Sequence, residues 1–259
     1  TDREPKVDVT ELKTGKVTTA KYDHPKDPID VCKNDVVTYT LRVYNEAGLS
    51  GYAKKVMDDV PDGLEFLPEN STNVQYKWKM YTESNESSSD SITYGGKKYI
   101  PTTDANKADV ILTDYLKDDL IKGFDPKTME TLDYKDLKVT FKVVEPNTSD
   151  RIIINYAQIT DDADFNGNAV TDRDSVPNEW NEGEDDQDIE KIKLRYFDLA
   201  LRKWVTEAIV TENGQTQVTQ TGHKAEDDPE EIVKVDLKKS ELNQVTVKFR
   251  YSIRVTNEG

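Results

Sequence analysis

RIIINYAQITDDADFNGNAVTDRDSVPNEWNEGEDDQD, Arg151 to Asp188, is the stretch that divides the chain. It opens with an apolar strand, Ile152–Ile159, broken only by one Asn and one Gln. It then turns almost wholly acidic. Asp161–Glu190 carries twelve carboxylates against a single cation, Arg173. Strand-like alternation resumes directly afterwards. The stretch therefore reads as the last strand of one domain, an acidic junction, and the opening of a second copy.

Upstream, apolar residues recur with the period of half-buried strands. In Val36–Tyr44, Val37, Tyr39, Leu41 and Val43 alternate with Thr38, Thr40, Arg42 and Tyr44. Val139, Phe141 and Val143 do the same within Leu137–Val144. Tyr52–Met57, Leu64–Leu67 and Val110–Leu112 are shorter strands, separated by turns such as Pro61-Asp62-Gly63. Residues 68–130 form an elaboration, in which Asp114–Gly123 reads as a short helix with Gly123 as its C-cap. Ile192–Trp204, Ala208–Val210 and Gln217–Thr219 continue the alternation. The expected fold is all-β: immunoglobulin-like β-sandwich domains in tandem, with one short helix in an elaborated loop.

The tandem arrangement rests on an internal repeat. VTYTLRVYNEAG (Val37–Gly48) matches VKFRYSIRVTNEG (Val247–Gly259) through Tyr39/Tyr251, Arg42/Arg254, Val43/Val255, Asn45/Asn257 and Glu46/Glu258. The second copy carries a stretch, Lys191–Gln220, that the first copy would need ahead of Thr1. Residues 1–190 are thus expected to be a sandwich lacking its first strand or strands, and residues 191–259 the opening half of another. A chain in this phase can join its neighbours by strand donation.

The totals exclude several functions. The 259 residues carry a formal net charge of −16, with 35% hydrophobic and 33% charged residues. Such a polyanion repels nucleic acid and anionic lipid and attracts cations. Its apolar runs are too short to enter a bilayer. It shows no signal peptide or sorting motif, so such signals are expected to lie outside this segment. Cys32 alone forms no internal disulfide and reads as a small buried residue. There is no Ser/His/Asp grouping, phosphate loop or paired-cysteine site, and His24 and His223 are poorly flanked for catalysis or metal. An enzyme is not expected.

YFDLALRKWV (Tyr196–Val205), the turns HPKDP (His24–Pro28) and DDPEE (Asp227–Glu231), VVTYTLRVYNE, PDGLEFLP (Pro61–Pro68), EPNTSDRIIINYAQITDD (Glu145–Asp162) and GEDDQD (Gly183–Asp188) carry a resemblance. They resemble the tandem immunoglobulin-like "conserved repeat" domains of large Gram-positive bacterial surface proteins, related to isopeptide-type pilin and adhesin stalk domains. The resemblance implies an extracellular, wall-anchored stalk or filament on the bacterial cell surface, with neighbouring repeats or copies of the chain as partners. It also implies an isopeptide crosslink, in which a first-strand Lys attacks a last-strand Asn beside a buried acid. Asn155 resembles that Asn and Lys203 that Lys. Asp58, Asp59 and Glu145 are the candidate acids. By the repeat phase Asn155 and Lys203 belong to different copies, so the bond is expected between copies.

Two further sites come from the residues themselves. Asp162, Asp164 and Asn166, with Asp172, Asp174, Asp185, Asp186 and Asp188, supply hard oxygen ligands for calcium at the junction. Tyr76 and Trp78, alternating with charged residues, offer a stacking face for a host protein or glycan. That face carries the rival reading, an adhesin domain.

Overall fold

The computed structural model describes residues 3–86, 88–147, 149, 151–170, 184–227, 232–235 and 243–259. The chain is mostly β, with 50% strand and 6% helix. In chain order the elements are β1 (Lys6–Asp8), α1 (Thr10–Lys13), β2 (Lys21–Asp23), β3 (Ile29–Cys32), β4 (Val36–Asn45), β5 (Gly51–Asp59) and β6 (Leu64–Phe66). Then come α2 (Ser71–Gln75), β7 (Lys79–Glu83), β8 (Ile92–Tyr94), β9 (Lys97–Pro101), a 3-10 turn (Ala105–Lys107), β10 (Val110–Thr113), β11 (Asp133–Val143) and β12 (Ile152–Asp164). Last are β13 (Gln187–Arg195), β14 (Leu199–Glu212), β15 (Gln215–Gln220) and β16 (Val245–Asn257). They fall into two units, Thr1–Arg195 and Tyr196–Gly259.

The first unit has an eight-stranded sheet, β3-β13-β12-β5-β10-β7-β9-β8, and a three-stranded sheet, β4-β11-β6; β1 and β2 pair separately. All its strand pairs are antiparallel except β3 with β13. The strongest wall of the core is β11. Its Leu137, Val139, Phe141 and Val143 are all 0% exposed, as strict alternation requires of a strand with one face inside. Residues Val110–Thr113 of β10 are buried on both faces. Val110 and Leu112 pack with Met57, Tyr81 and Tyr99 in a cluster on one face, which leaves Ile111 and Thr113 for the other. Buried Asn73 on α2 ties the elaboration to β11: its Nδ2 donates to Leu67 O and Thr140 O, both at 2.8 Å, and its Oδ1 accepts from Thr140 N at 2.8 Å.

Four expectations need correction. Asp114–Gly123 is a run of turns and one bridge, Gly51↔Ile121, not a helix. Leu116 and Ile121 are buried there as plugs. Gly123 is kept small by contact, since a Cβ on it would stand 2.6 Å from the Leu49 carbonyl carbon. Cys32 is exposed rather than buried. The first unit reaches Arg195 rather than residue 190, because β13 pairs with β12 over Ile152–Gln158. Residues 191–195 thus complete the unit that precedes them, and the strands of the second unit begin with β14.

The second unit is a three-stranded sheet, β15-β14-β16. β14 is its centre. It pairs with β16 from Leu199↔Asn257 to Glu212↔Val245, with a bulge between Val205 and Glu207. Alternation sets Leu201, Lys203 and Val205 on one face with Tyr251, Ile253 and Val255. That face is open: Leu201 is 59% exposed and Ile253 62%.

Candidate functional site

β5 and β12 place a buried polar group in the sheet interior. β5 alternates Val56 and Asp58 toward the inside, and Asp58 is 0% exposed. Antiparallel pairing sets Asp58 opposite Ala157 and so brings Asn155, two residues earlier on β12, beside the end of β5. Asn155 is 3% exposed. Its Nδ2 donates to Asp58 Oδ1 at 2.7 Å, and to Asp59 O and Oδ1, both at 3.1 Å. Asp59 Oδ1 also accepts Tyr156 N at 2.7 Å.

This environment keeps protons on acids. Burial, then the neighbouring Asp59 charge, raises the Asp58 carboxyl well above the usual range, and the Asn155 hydrogen bond only partly offsets them. Burial pushes Asp59 up to about 7 against the hydrogen bonds from Tyr156 and Asn155. From β4, Tyr39 faces the pair. Burial first, then the charges of Asp58, Glu190 and Asp59, raise its hydroxyl well above its ordinary value. Two buried oxygens here, Tyr39 Oη and Asp58 Oδ2, have no hydrogen-bond partner among the described residues. Unpartnered buried polar atoms are costly.

The structure therefore brings Asn155, Asp58 and Asp59 together. The Glu145 side chain is 47% exposed and pairs with Lys33 at 3.6 Å, so it is not the buried acid. Lys203 stands in the second unit, its Nζ 4.2 Å from the centre of the Tyr251 ring. Tyr39 was not singled out from sequence as a site residue, although the Tyr39/Tyr251 match was the available signal.

The acidic positions are used locally. Asp164 Oδ1 accepts the N–H groups of Asn166 and Asn168 at 2.8 and 2.9 Å, which closes a turn around Gly167. The Asn168 side-chain amide, donating to Oδ2 at 3.1 Å, and then these backbone bonds hold its carboxyl below the usual range. Asp186 is buried and its Oδ2 accepts Gln158 Nε2 at 3.3 Å. Asp188 pairs with Lys26 at 2.6 Å and lies 3.6 Å from His24 Nδ1. Asp162 is partly buried on β12 and Asp185 is exposed. Asp172 and Asp174 lie outside the described residues. Among the described residues no three acids, histidines or cysteines converge as a metal group.

The aromatic stacking face is a correction. Trp78 is 8% exposed and its Nε1 donates to Lys138 O at 2.8 Å. α2 ends just before it and Lys77 takes φ +56°, which turns the indole inward. Tyr76 packs edge-on to Tyr115 at 4.9 Å. The pair does not form an exposed platform.

No protein-family model matches this chain, and no curated protein or solved structure is significantly similar to it.

Proposed function

We propose that this chain is a structural repeat segment of an extracellular bacterial surface stalk or filament. In this reading it is built of tandem immunoglobulin-like β-sandwiches that share strands between copies and are joined by an amide crosslink. The observation that carries the reading is the buried Asn155–Asp58 contact at 2.7 Å. A surface enzyme would need an open cleft, whereas a buried amide beside a protonated acid suits a reaction that happens once, during assembly. A lysine entering this apolar space loses its proton by desolvation. Its neutral Nζ attacks Asn155 Cγ; the Nζ–Cγ bond forms, the Cγ–Nδ2 bond breaks, and Nδ2 leaves as ammonia. Asp58 touches the departing nitrogen and hands it a proton, later regaining one from the attacking amine. Lys203 of a second copy is the proposed nucleophile.

The test is the mass of assembled native material after full denaturation. The expected result is a ladder of covalent multimers, each joint lighter by one ammonia, with Lys203 and Asn155 in the linked peptide. A single mass of one unmodified chain removes the crosslink from the proposal.

Calcium at the acidic junction is a separate part of the reading, supported by the composition of Asp161–Glu190, which has twelve carboxylates and one cation within it. Thermal unfolding in millimolar calcium is expected to shift upward relative to chelator, because an ion bound only by the folded state stabilises it. Coincident midpoints would withdraw calcium.

A further inference from the structure

The core of the first unit stops abruptly at one strand. β11 is fully buried on its inner face, yet its neighbour β4 is not: of Val37, Tyr39, Leu41 and Val43, only Val43 is buried. These residues lie directly beside Phe141, Val139, Leu137 and Lys135 in the β4–β11 register. β4 is an edge strand, and no strand among the described residues pairs with its other side. An edge of ten residues with a half-covered apolar face is a site for strand addition.

The second unit contains the occupant that fits. β16 repeats the sequence of β4, with Tyr251 at Tyr39 and Val255 at Val43. β16 already has the neighbour that β4 lacks, namely β14, with Lys203 opposite Ile253, Val205 opposite Tyr251 and Leu201 opposite Val255. We infer that the open edge of β4 is a docking site for the β14–β15 hairpin of a second copy of this chain, in the register that sets Lys203 opposite Leu41, Val205 opposite Tyr39 and Leu201 opposite Val43.

The register places the side chains as well as the backbone. Lys203 lies on the same face as Tyr251, over whose ring its Nζ rests. Transferred to β4, it lies on the face of Tyr39, whose buried hydroxyl has no hydrogen-bond partner among the described residues and senses Asp58 and Glu190. The same step covers Leu201 and Val205. Within one chain β14 pairs with β16 and carries β15 on its other side, so donation exchanges β16 for β4, a closely similar strand. The inference rests on the strand-sharing reading above and not on the amide chemistry.

The test replaces the reactive lysine, so that the two ideas fail separately. In a Cys32→Ser background, chains carrying Lys203→Cys are mixed with chains carrying Leu41→Cys and oxidised. A single chain with Lys203→Cys and Ile253→Cys calibrates disulfide formation at a directly opposed pair. The expected result is a mixed dimer on non-reducing denaturing electrophoresis with Leu41→Cys and none with Thr40→Cys, whose side chain points to the other face. Ala208→Cys with Val37→Cys is the second pair, used if Leu41→Cys proves misfolded by circular dichroism. No dimer at either pair, or equal dimer at Thr40→Cys, overturns the docking. Dimers here with no ammonia loss in native material keep the docking and remove the crosslink.

Discussion

At pH 8, the Asp59→Asn chain is expected to have a first unit more stable than that of the parent by up to about 4 kcal/mol, an advantage that vanishes near pH 4. Asp59 titrates near 7 in the folded chain instead of near 3.8, and each pH unit of such a rise corresponds to about 1.36 kcal/mol. The folded state holds the proton more tightly than the unfolded state. The resulting stability is therefore complete below about pH 4 and is lost as pH rises through 7. Partial solvent access lowers the figure toward about 2 kcal/mol. Asparagine keeps the oxygen that accepts Tyr156 N and removes the titration. Urea unfolding at a series of pH values, read by hydrogen exchange at β11, isolates the first unit. Parallel stability curves for the two chains would show that Asp59 carries no such burden. Asp58→Asn is expected to act in the same direction, because that carboxyl is buried more deeply.

Phe141→Ala is expected to cost the first unit about 3–5 kcal/mol, the range for emptying a fully buried aromatic site. Phe141 is 0% exposed. Its ring stands edge-on to Tyr39 and to Phe66, both at 6.0 Å between centroids, and its backbone sits between Val37 and Phe66. It thus joins all three strands of the smaller sheet. Hydrogen exchange at β11 under rising urea measures the loss. A cost below about 1 kcal/mol would mean that the sheet closes over the space, against the close packing of protein interiors.

The sequence made the strands legible where one face is buried and the other wet. Val37–Val43 and Leu137–Val143 alternate cleanly, and both are strands. The rule failed where apolar residues plug a turn. Tyr115, Leu116, Leu120 and Ile121 cluster at helical spacing, yet Leu116 and Ile121 each fill a gap beneath the loop, and the Gly51↔Ile121 bridge holds the chain extended. It failed again at Trp78, where a five-residue helix interrupts the strand pattern. Asn155 was legible only through its resemblance to the last-strand Asn of isopeptide-type domains. The choice of Asp58 over Glu145 needed the β5–β12 register, a long-range fact that local pattern does not contain. The domain boundary was missed by five residues because Ile189, Ile192 and Leu194 alternate as any strand would. Only the pairing of β13 with β12 shows which unit owns them.

The parallel pairing of β3 with β13 has a mechanical meaning. Ile29–Cys32 runs beside Ile192–Arg195 in the same direction, and β13 is the last strand of its unit. A pull that enters the unit from the side preceding β3 and leaves past Arg195 drags the two strands lengthwise in opposite senses. The rungs are then loaded together in shear instead of being unzipped one after another. The Arg195–Asp30 ion pair at 2.8 Å spans the same two strands and shares that load. Tension applied in that direction thus loads the β3–β13 rungs side by side.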